Sequence, residues 1–322
     1  MRLVSFRHLE QTRIGALLGE KVIDLNRAYR ACLGSAGGRI DPIEADRTVP
    51  AEMNDFLAGG AKTMDAARRA LDFSKERMDD PAGLPSDEAG GVWFPIEEIK
   101  LLSPVPRPGK IVCIGLNYPG AIDAPRPEYP VIFLKAASSV IGAGDTIYLP
   151  HSSRQTFYEV ELALVIGSRA KHLTREKALS CVAGYTIAND LGARDLENRT
   201  SQWTTGKLMD TFCPLGPFLV TTDELRRIND LTMTTRVNGK TVQLGNTREM
   251  IFDTPFLVSY VSGLATLEPG DVILTGSPKA MNGEPAPVVF LKHGDVVEVE
   301  IGGLGILRNP VADEPMEKAD GE

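Results

Sequence analysis

Apolar and polar positions alternate with a period of two at the start of the chain. RLVSF, RIGALLG and EKVIDL read as short strands, and Gly19-Glu20 suits the turn between the last two. Across AEMNDFLAGGAKTMDAARRALDFSKERM the spacing changes. Met53, Phe56, Leu57, Met64, Ala67 and Leu71 recur at helical intervals, predicting an amphipathic helix interrupted near Gly59-Gly60. DDPAGLPSDEAGG is polar and rich in Pro and Gly, the composition of a linker. After LSPVPRPG the texture becomes strand-like again: KIVCIGLN, PVIFLK, TIYLP, ELALVIG, VAGYTIAND, PFLVT, MTTRVNGKTVQ, DVILTG and DVVEVEIGGLGILRN. VNGK predicts a hairpin, because Asn-Gly suits both central positions of a type I′ turn. TREKALSC and MIFDTPFLVSYVSGL are the helical candidates in this half, the latter with Pro255 early. The pattern predicts an α+β, mostly β protein rather than a Rossmann alternation. The expected divisions are a small N-terminal α/β domain over 1–78, a linker over 79–104, a main domain over 105–312 and an acidic, frayed tail over 313–322.

One strand breaks the apolar rule. TFYEVELALVIG reads as buried, yet it carries Glu159 and Glu161. Residues two apart in an extended strand point the same way, so the two carboxylates project together. Val160, Leu162, Leu164 and Ile166 alternate with them, and Phe157, Ala163 and Val165 share their face. Two like charges in such surroundings repel, and one keeps its proton unless a cation is present. Taken alone, Glu-x-Glu reads more simply as an edge strand with one solvated row. A second acidic position shifts the balance: GYTIAND ends in Asp190, where strand gives way to loop or helix. Asp190 also suits a helix N-cap. Three carboxylates from separate segments make an oxygen site for Mg²⁺ or Mn²⁺, with Ca²⁺ also compatible. Arg194 and Lys207 lie downstream, where they serve as surface charges or, beside a metal, as the grip on a carboxylate-bearing substrate.

Net charge is −8, which argues against a nucleic-acid footprint or a polybasic membrane surface. No run is apolar enough for a secretory signal or a membrane span. The four cysteines include no Cys-x-x-Cys and are widely separated, which fits buried thiols in a reducing cytoplasm.

KIVCIGLNY, PVIFLKAASSVIGAGDTIYLP, YEVELALVIG, AGYTIANDLGARDLE, QWTTGKLMDTFCPLGPFLVT, VNGKTVQLGNT, LEPGDVILTGSP and LKHGDVVEVEIGGLGILRNPV occur in this order. Together they resemble the fumarylacetoacetate hydrolase family. The resemblance implies a rolled, mixed β-sheet catalytic domain, a homodimer, and Mg²⁺- or Mn²⁺-dependent chemistry on small anionic 2-oxo acids. It assigns the metal ligands to Glu159, Glu161 and Asp190. It assigns substrate contacts to Tyr118, Arg194, Lys207 and Ser277, the last in a Gly-Ser-Pro loop. A Gln common after the family's Arg-Asp pair is Glu197 here, which either repels an anionic substrate or pairs with Arg194.

The chain departs from the hydrolytic pattern at one place. The family's His-x-x-Glu dyad, which deprotonates the attacking water, falls on Ala121 and Ala124. Neither exchanges a proton, so positioned water attack is weakened while metal-assisted enolate chemistry is not. Asp123 and Glu128 are the nearby carboxylates that stand as substitutes, and His151 is the histidine to test for proximity to the metal. The family default, C–C hydrolysis of an acylpyruvate-like 2-oxo acid or β-diketone, is the first expectation. Decarboxylation, tautomerisation (isomerisation) or dehydration on the same site follows closely. A ligand-binding protein without turnover is the reading from another class.

Overall fold

A computed structural model describes residues 1–35, 41–77, 91–119, 126–279 and 289–315. The first segment is a meander of β1 (Arg2–His8), β2 (Gln11–Leu18) and β3 (Lys21–Asp24). Gly19 turns β2 into β3 at a φ of 59°. Four helices follow: α1 (Leu25–Ser35), α2 (Pro42–Thr48), α3 (Met53–Ala58) and α4 (Gly60–Arg77). The break between α3 and α4 falls at Gly59-Gly60, as the spacing predicts. α1 and α2 are additional. Leu25, Ala28 and Tyr29 give α1 a buried stripe, and Asp24 accepts from the Arg27 N–H at its start. Within the stretch expected to be linker, residues 93–95 and 100–101 form β4 (Trp93–Pro95), paired with β3, and β5 (Lys100–Leu101), paired with β1.

The rest of the chain is mostly strand. It comprises β6 (Ile111–Gly115), β7 (Val131–Lys135), β8 (Val140–Ile141), β9 (Ile147–Leu149), β10 (Thr156–Phe157), β11 (Val160–Ile166), β12 (Val182–Asn189) and β13 (Gly192–Ala193). Two one-turn helices come next, α5 (Arg194–Glu197) and α6 (Thr204–Lys207). They lead into β14 (Cys213–Thr221), β15 (Thr232–Val237), β16 (Lys240–Asn246), α7 (Thr254–Leu264), β17 (Val272–Leu274), β18 (Val296–Ile301) and β19 (Gly305–Asp313). Asn238 and Gly239 turn β15 into β16 at φ of 52° and 77°, as a type I′ turn requires. Asp253 caps α7 and Pro255 sits in its first turn. TREKALSC, predicted as a helix, is a 3₁₀ segment over Arg175–Cys181; its buried Ala178 and Cys181 stand three apart, the period of that helix.

A 12-stranded mixed sheet runs β4-β3-β2-β1-β14-β12-β11-β17-β6-β7, with β5 on β1 and β8 on β14. A five-stranded sheet runs β16-β15-β18-β19-β9. The large sheet is packed on both faces. Ala163, Val165, Cys113 and Leu215 join the core that contains Phe56, Leu57, Ala66 and Ala70 of α3 and α4. Val160, Leu162, Leu164 and Ile166 join the other core, with Leu257 and Val261 of α7 and Val297, Val299 and Leu307 of the smaller sheet. β11 is therefore buried along its whole length. No helix among the described residues is long and apolar enough to cross a membrane.

Candidate active site

The predicted single strand over 156–166 is two strands, because the ladder breaks at Tyr158-Glu159. Asn189 makes the break: its Oδ1 accepts the Glu159 N–H at 3.0 Å, and the Asp190 N–H donates to the Glu159 carbonyl at 2.9 Å. Glu161 sits opposite Ala188 in the β11–β12 ladder. Glu159 and Glu161 thus flank the first residue of β11, while Asp190 follows the last residue of β12. The three side chains meet, each offering an oxygen within 4.8 Å of the others. Asp190 is fully buried and Glu161 is 2 % exposed, so this is not a solvated acidic patch.

Cations and N–H groups surround the cluster. Lys207, at the end of α6, places Nζ 2.6 Å from Glu159 Oε2, 3.2 Å from the Asp190 carbonyl and 3.1 Å from Asp190 Oδ2. The last contact is an ion pair without hydrogen-bond alignment, which leaves Asp190 Oδ2 buried and unpaired by hydrogen bonds. Lys135, fully buried at the end of β7, donates to Asp190 Oδ1 at 2.7 Å and to the Leu191 carbonyl at 2.9 Å. Glu161 Oε2 accepts the Gly276 N–H at 2.7 Å. Gly276 holds a φ of +94°, and a Cβ there would lie 2.7 Å from the Asn117 Cβ. Asn117 ties this corner together by donating to the carbonyls of Thr275 and Phe252 and accepting the Phe252 N–H.

The electrostatics follow from this geometry. Burial, Asp190 and Glu159 push the Glu161 carboxyl well above its usual value, against the Gly276 N–H and Lys207. Burial also pushes Asp190 upward, but Lys135 and Lys207 outweigh it and hold the carboxyl low. Burial alone would favour a neutral Lys207; Asp190, Glu159 and Glu197 reverse that and keep it an ammonium. An all-oxygen donor set, a buried carboxylate oxygen that accepts no hydrogen bond and a ligand that resists ionisation without a cation suit a hard divalent ion.

The remaining expected residues fall as follows. Arg194 opens α5, its guanidinium 3.9 Å from the centre of the Phe157 ring and its Nη1 2.8 Å from Glu197 Oε2. Ser277 Oγ accepts from Gln243 Nε2 at 3.1 Å. Tyr118 is buried, its hydroxyl directed at Met233 Sδ, 3.1 Å away. Asp123, Ala121 and Ala124 lie outside the described residues. Glu128 is exposed. His151 is also exposed, its backbone N–H donating to Glu314, and it contributes nothing to the acidic cluster.

Two residues at the site were not singled out from the sequence. Lys135 carries the same anomaly as the glutamates, a charge closing an apolar strand. Gln243 is 5 % exposed; it accepts from the Val160 N–H and the Thr235 hydroxyl and donates to Ser277 Oγ and the Pro278 carbonyl. It thereby joins β11 to the loop that presents Gly276.

The family model described as Fumarylacetoacetate (FAA) hydrolase C-terminal matches residues 110–312. The chain is 42 % identical over 318 residues to the Homo sapiens protein named oxaloacetate tautomerase FAHD2A, mitochondrial, covering 97 % of this chain and 91 % of the relative. It is 36 % identical over 299 residues to oxaloacetate tautomerase YisK of Bacillus subtilis, covering 91 % and 93 %. A crystal structure of maleylpyruvate hydrolase from Sphingobium sp. SYK-6, in complex with manganese (II) ion and pyruvate, superposes with a TM-score of 0.72 at 26 % identity, covering 98 % of this chain and all of that one.

Proposed function

The chain belongs to the fumarylacetoacetate hydrolase family, and from that membership we propose that it is a divalent-metal-dependent tautomerase that interconverts the enol and keto forms of a small 2-oxo acid. The observation that carries this reading is the cluster of half-buried Glu159 with buried Glu161 and Asp190, and Lys207 against it. The names of the human and Bacillus relatives support the reaction type.

Glu159, Glu161 and Asp190 would hold the ion. Bound there, Mg²⁺ or Mn²⁺ supplies Lewis-acid polarisation of the 2-oxo group. The chain's own residues bind the substrate and stabilise its charge. Lys207, kept protonated by three carboxylates, offers a fixed positive charge where negative charge grows on an enolate oxygen. Arg194, stacked on Phe157, takes a carboxylate, and Ser277 adds a hydroxyl held by Gln243. Tautomerisation moves one proton between C3 and the enol oxygen and breaks no C–C bond. It needs no activated water, so it does not call for a water-deprotonating dyad at 121 and 124.

C–C hydrolysis has the maleylpyruvate hydrolase neighbour behind it. It also demands a base for the attacking water, which is why it ranks second. The test follows the ultraviolet absorbance of enol-oxaloacetate, with and without Mn²⁺, while assaying pyruvate and, with an acylpyruvate, carboxylate release. Metal-dependent loss of enol without cleavage is expected. Stoichiometric cleavage products, or no dependence on metal, would overturn the proposal.

A further inference from the structure

Glu197 is buried inside the cluster of groups just assigned to the substrate. Its side chain is 3 % exposed. Oε2 is 2.8 Å from Arg194 Nη1; Oε1 is 3.9 Å from Lys207 Nζ and has no hydrogen-bond partner. The fold makes room for it twice. A Cβ on Gly192 would lie 2.5 Å from Glu197 Oε1, and a Cβ on Gly206 would lie 2.5 Å from Glu197 Cγ. Both glycines leave the space in which the carboxylate sits between the two cationic side chains.

The charge balance sets the consequence. With an ion bound and every carboxylate ionised, Glu159, Glu161, Asp190 and Glu197 stand with Lys135, Lys207 and Arg194, four negative groups against three positive. A divalent ion makes the site net +1, which a monoanion neutralises. A dianion leaves it one charge in excess, with a buried carboxylate nearby and one edge of the Arg194 fork already engaged.

Resting on the tautomerase reading, we infer that Glu197 is a specificity-determining residue that turns this site toward 2-oxo acids carrying a single carboxylate, with an uncharged distal end, and away from dicarboxylates. Glu197 acts through Arg194 and Lys207 and takes no part in the proton transfer. Glutamine there would keep the shape and release the charge.

The experiment compares oxaloacetate with its 4-ethyl ester, which keeps the reacting carbons and removes one charge. For the Mn²⁺-loaded wild type and Glu197→Gln, kcat and KM are measured for both at low and high ionic strength, and Kd by calorimetry. The wild type is expected to favour the ester in kcat/KM by about tenfold, less so in high salt. Glu197→Gln should shift the ratio about tenfold toward the dianion, chiefly in KM and Kd. A wild type that favours oxaloacetate, or a folded Glu197→Gln with the wild-type ratio, overturns the inference. A wild-type Kd ratio that favours oxaloacetate overturns the inference even if the variant does not fold. Binding ratios read it even without turnover, whereas absent tautomerisation of both substrates counts against the proposed reaction alone.

Discussion

Replacing Glu161 by glutamine separates the two roles of the acidic cluster. Glutamine keeps an oxygen for the Gly276 N–H but removes the charge. The ligand oxygens lie within 4.8 Å of one another. At an effective dielectric near 20, a like-charge pair at that separation costs roughly 3 kcal/mol. Glu161 has two such neighbours, offset in part by Lys207 and by the Gly276 N–H, so a net relief of about 2 kcal/mol is expected in the metal-free protein. For a chain of this size that raises Tm by about 3 °C. The sign with pH follows from the raised carboxyl. The fold holds the Glu161 proton more tightly than the unfolded chain does, so the stability it lends is present below the usual 4.5 and lost as pH climbs through the raised value. The advantage of Glu161→Gln should therefore grow with rising pH and shrink on acidification. Calorimetric melts in EDTA measure it. Mn²⁺ at a hundred times its Kd adds about 2.7 kcal/mol to the wild type and should reverse the order. A variant less stable than wild type in EDTA at pH 8, or one that keeps the metal-induced shift, refutes the reasoning.

Lys135→Met strips Asp190 Oδ1 and the Leu191 carbonyl of their buried donor and should cost about 3–5 kcal/mol in urea unfolding; an unchanged midpoint would show the pair to be inconsequential. Gly276→Ala forces a side chain onto a φ of +94° against Asn117 and should weaken Mn²⁺ binding about tenfold through the displaced Glu161 contact; wild-type affinity by calorimetry would contradict that route. Gln243→Leu leaves the Val160 N–H and the Pro278 carbonyl without this partner and should cost about 3 kcal/mol while raising KM, read by denaturation and steady-state kinetics.

The strand-like runs of the catalytic half were legible because β-branched and aromatic residues alternate with Gly, Pro and Asn, and the β15–β16 hairpin because Asn238-Gly239 admits few turns. The carboxylate pair was legible as a contradiction, two charges in an apolar strand. The ladder break at Tyr158-Glu159 was not, since it is made by the side chain of Asn189, thirty residues away. α1 was hidden by its adjoining strands, although Leu25, Ala28 and Tyr29 carry helical spacing. Lys135 went unnoticed because a terminal lysine on a strand ordinarily reaches solvent. Only the fold brings Asp190 and Leu191 over it. Glu197 was recognisable as a substitution, but its place between two cations depends on Gly192 and Gly206, whose lack of side chains says nothing until the packing is known.

The large sheet draws its first strand from the opening residues of the chain. Arg2 and Leu3 of β1 bond to Val220 and Leu219 of β14. A fragment beginning near residue 105 would leave that flank of β14 without its neighbour and bare part of the core shared with α3 and α4. Unsatisfied main-chain groups beside exposed leucine and valine invite chains to stack on one another. Efforts to produce the hydrolase-like half by itself should therefore meet insolubility, and a soluble preparation would have to keep the leading meander attached.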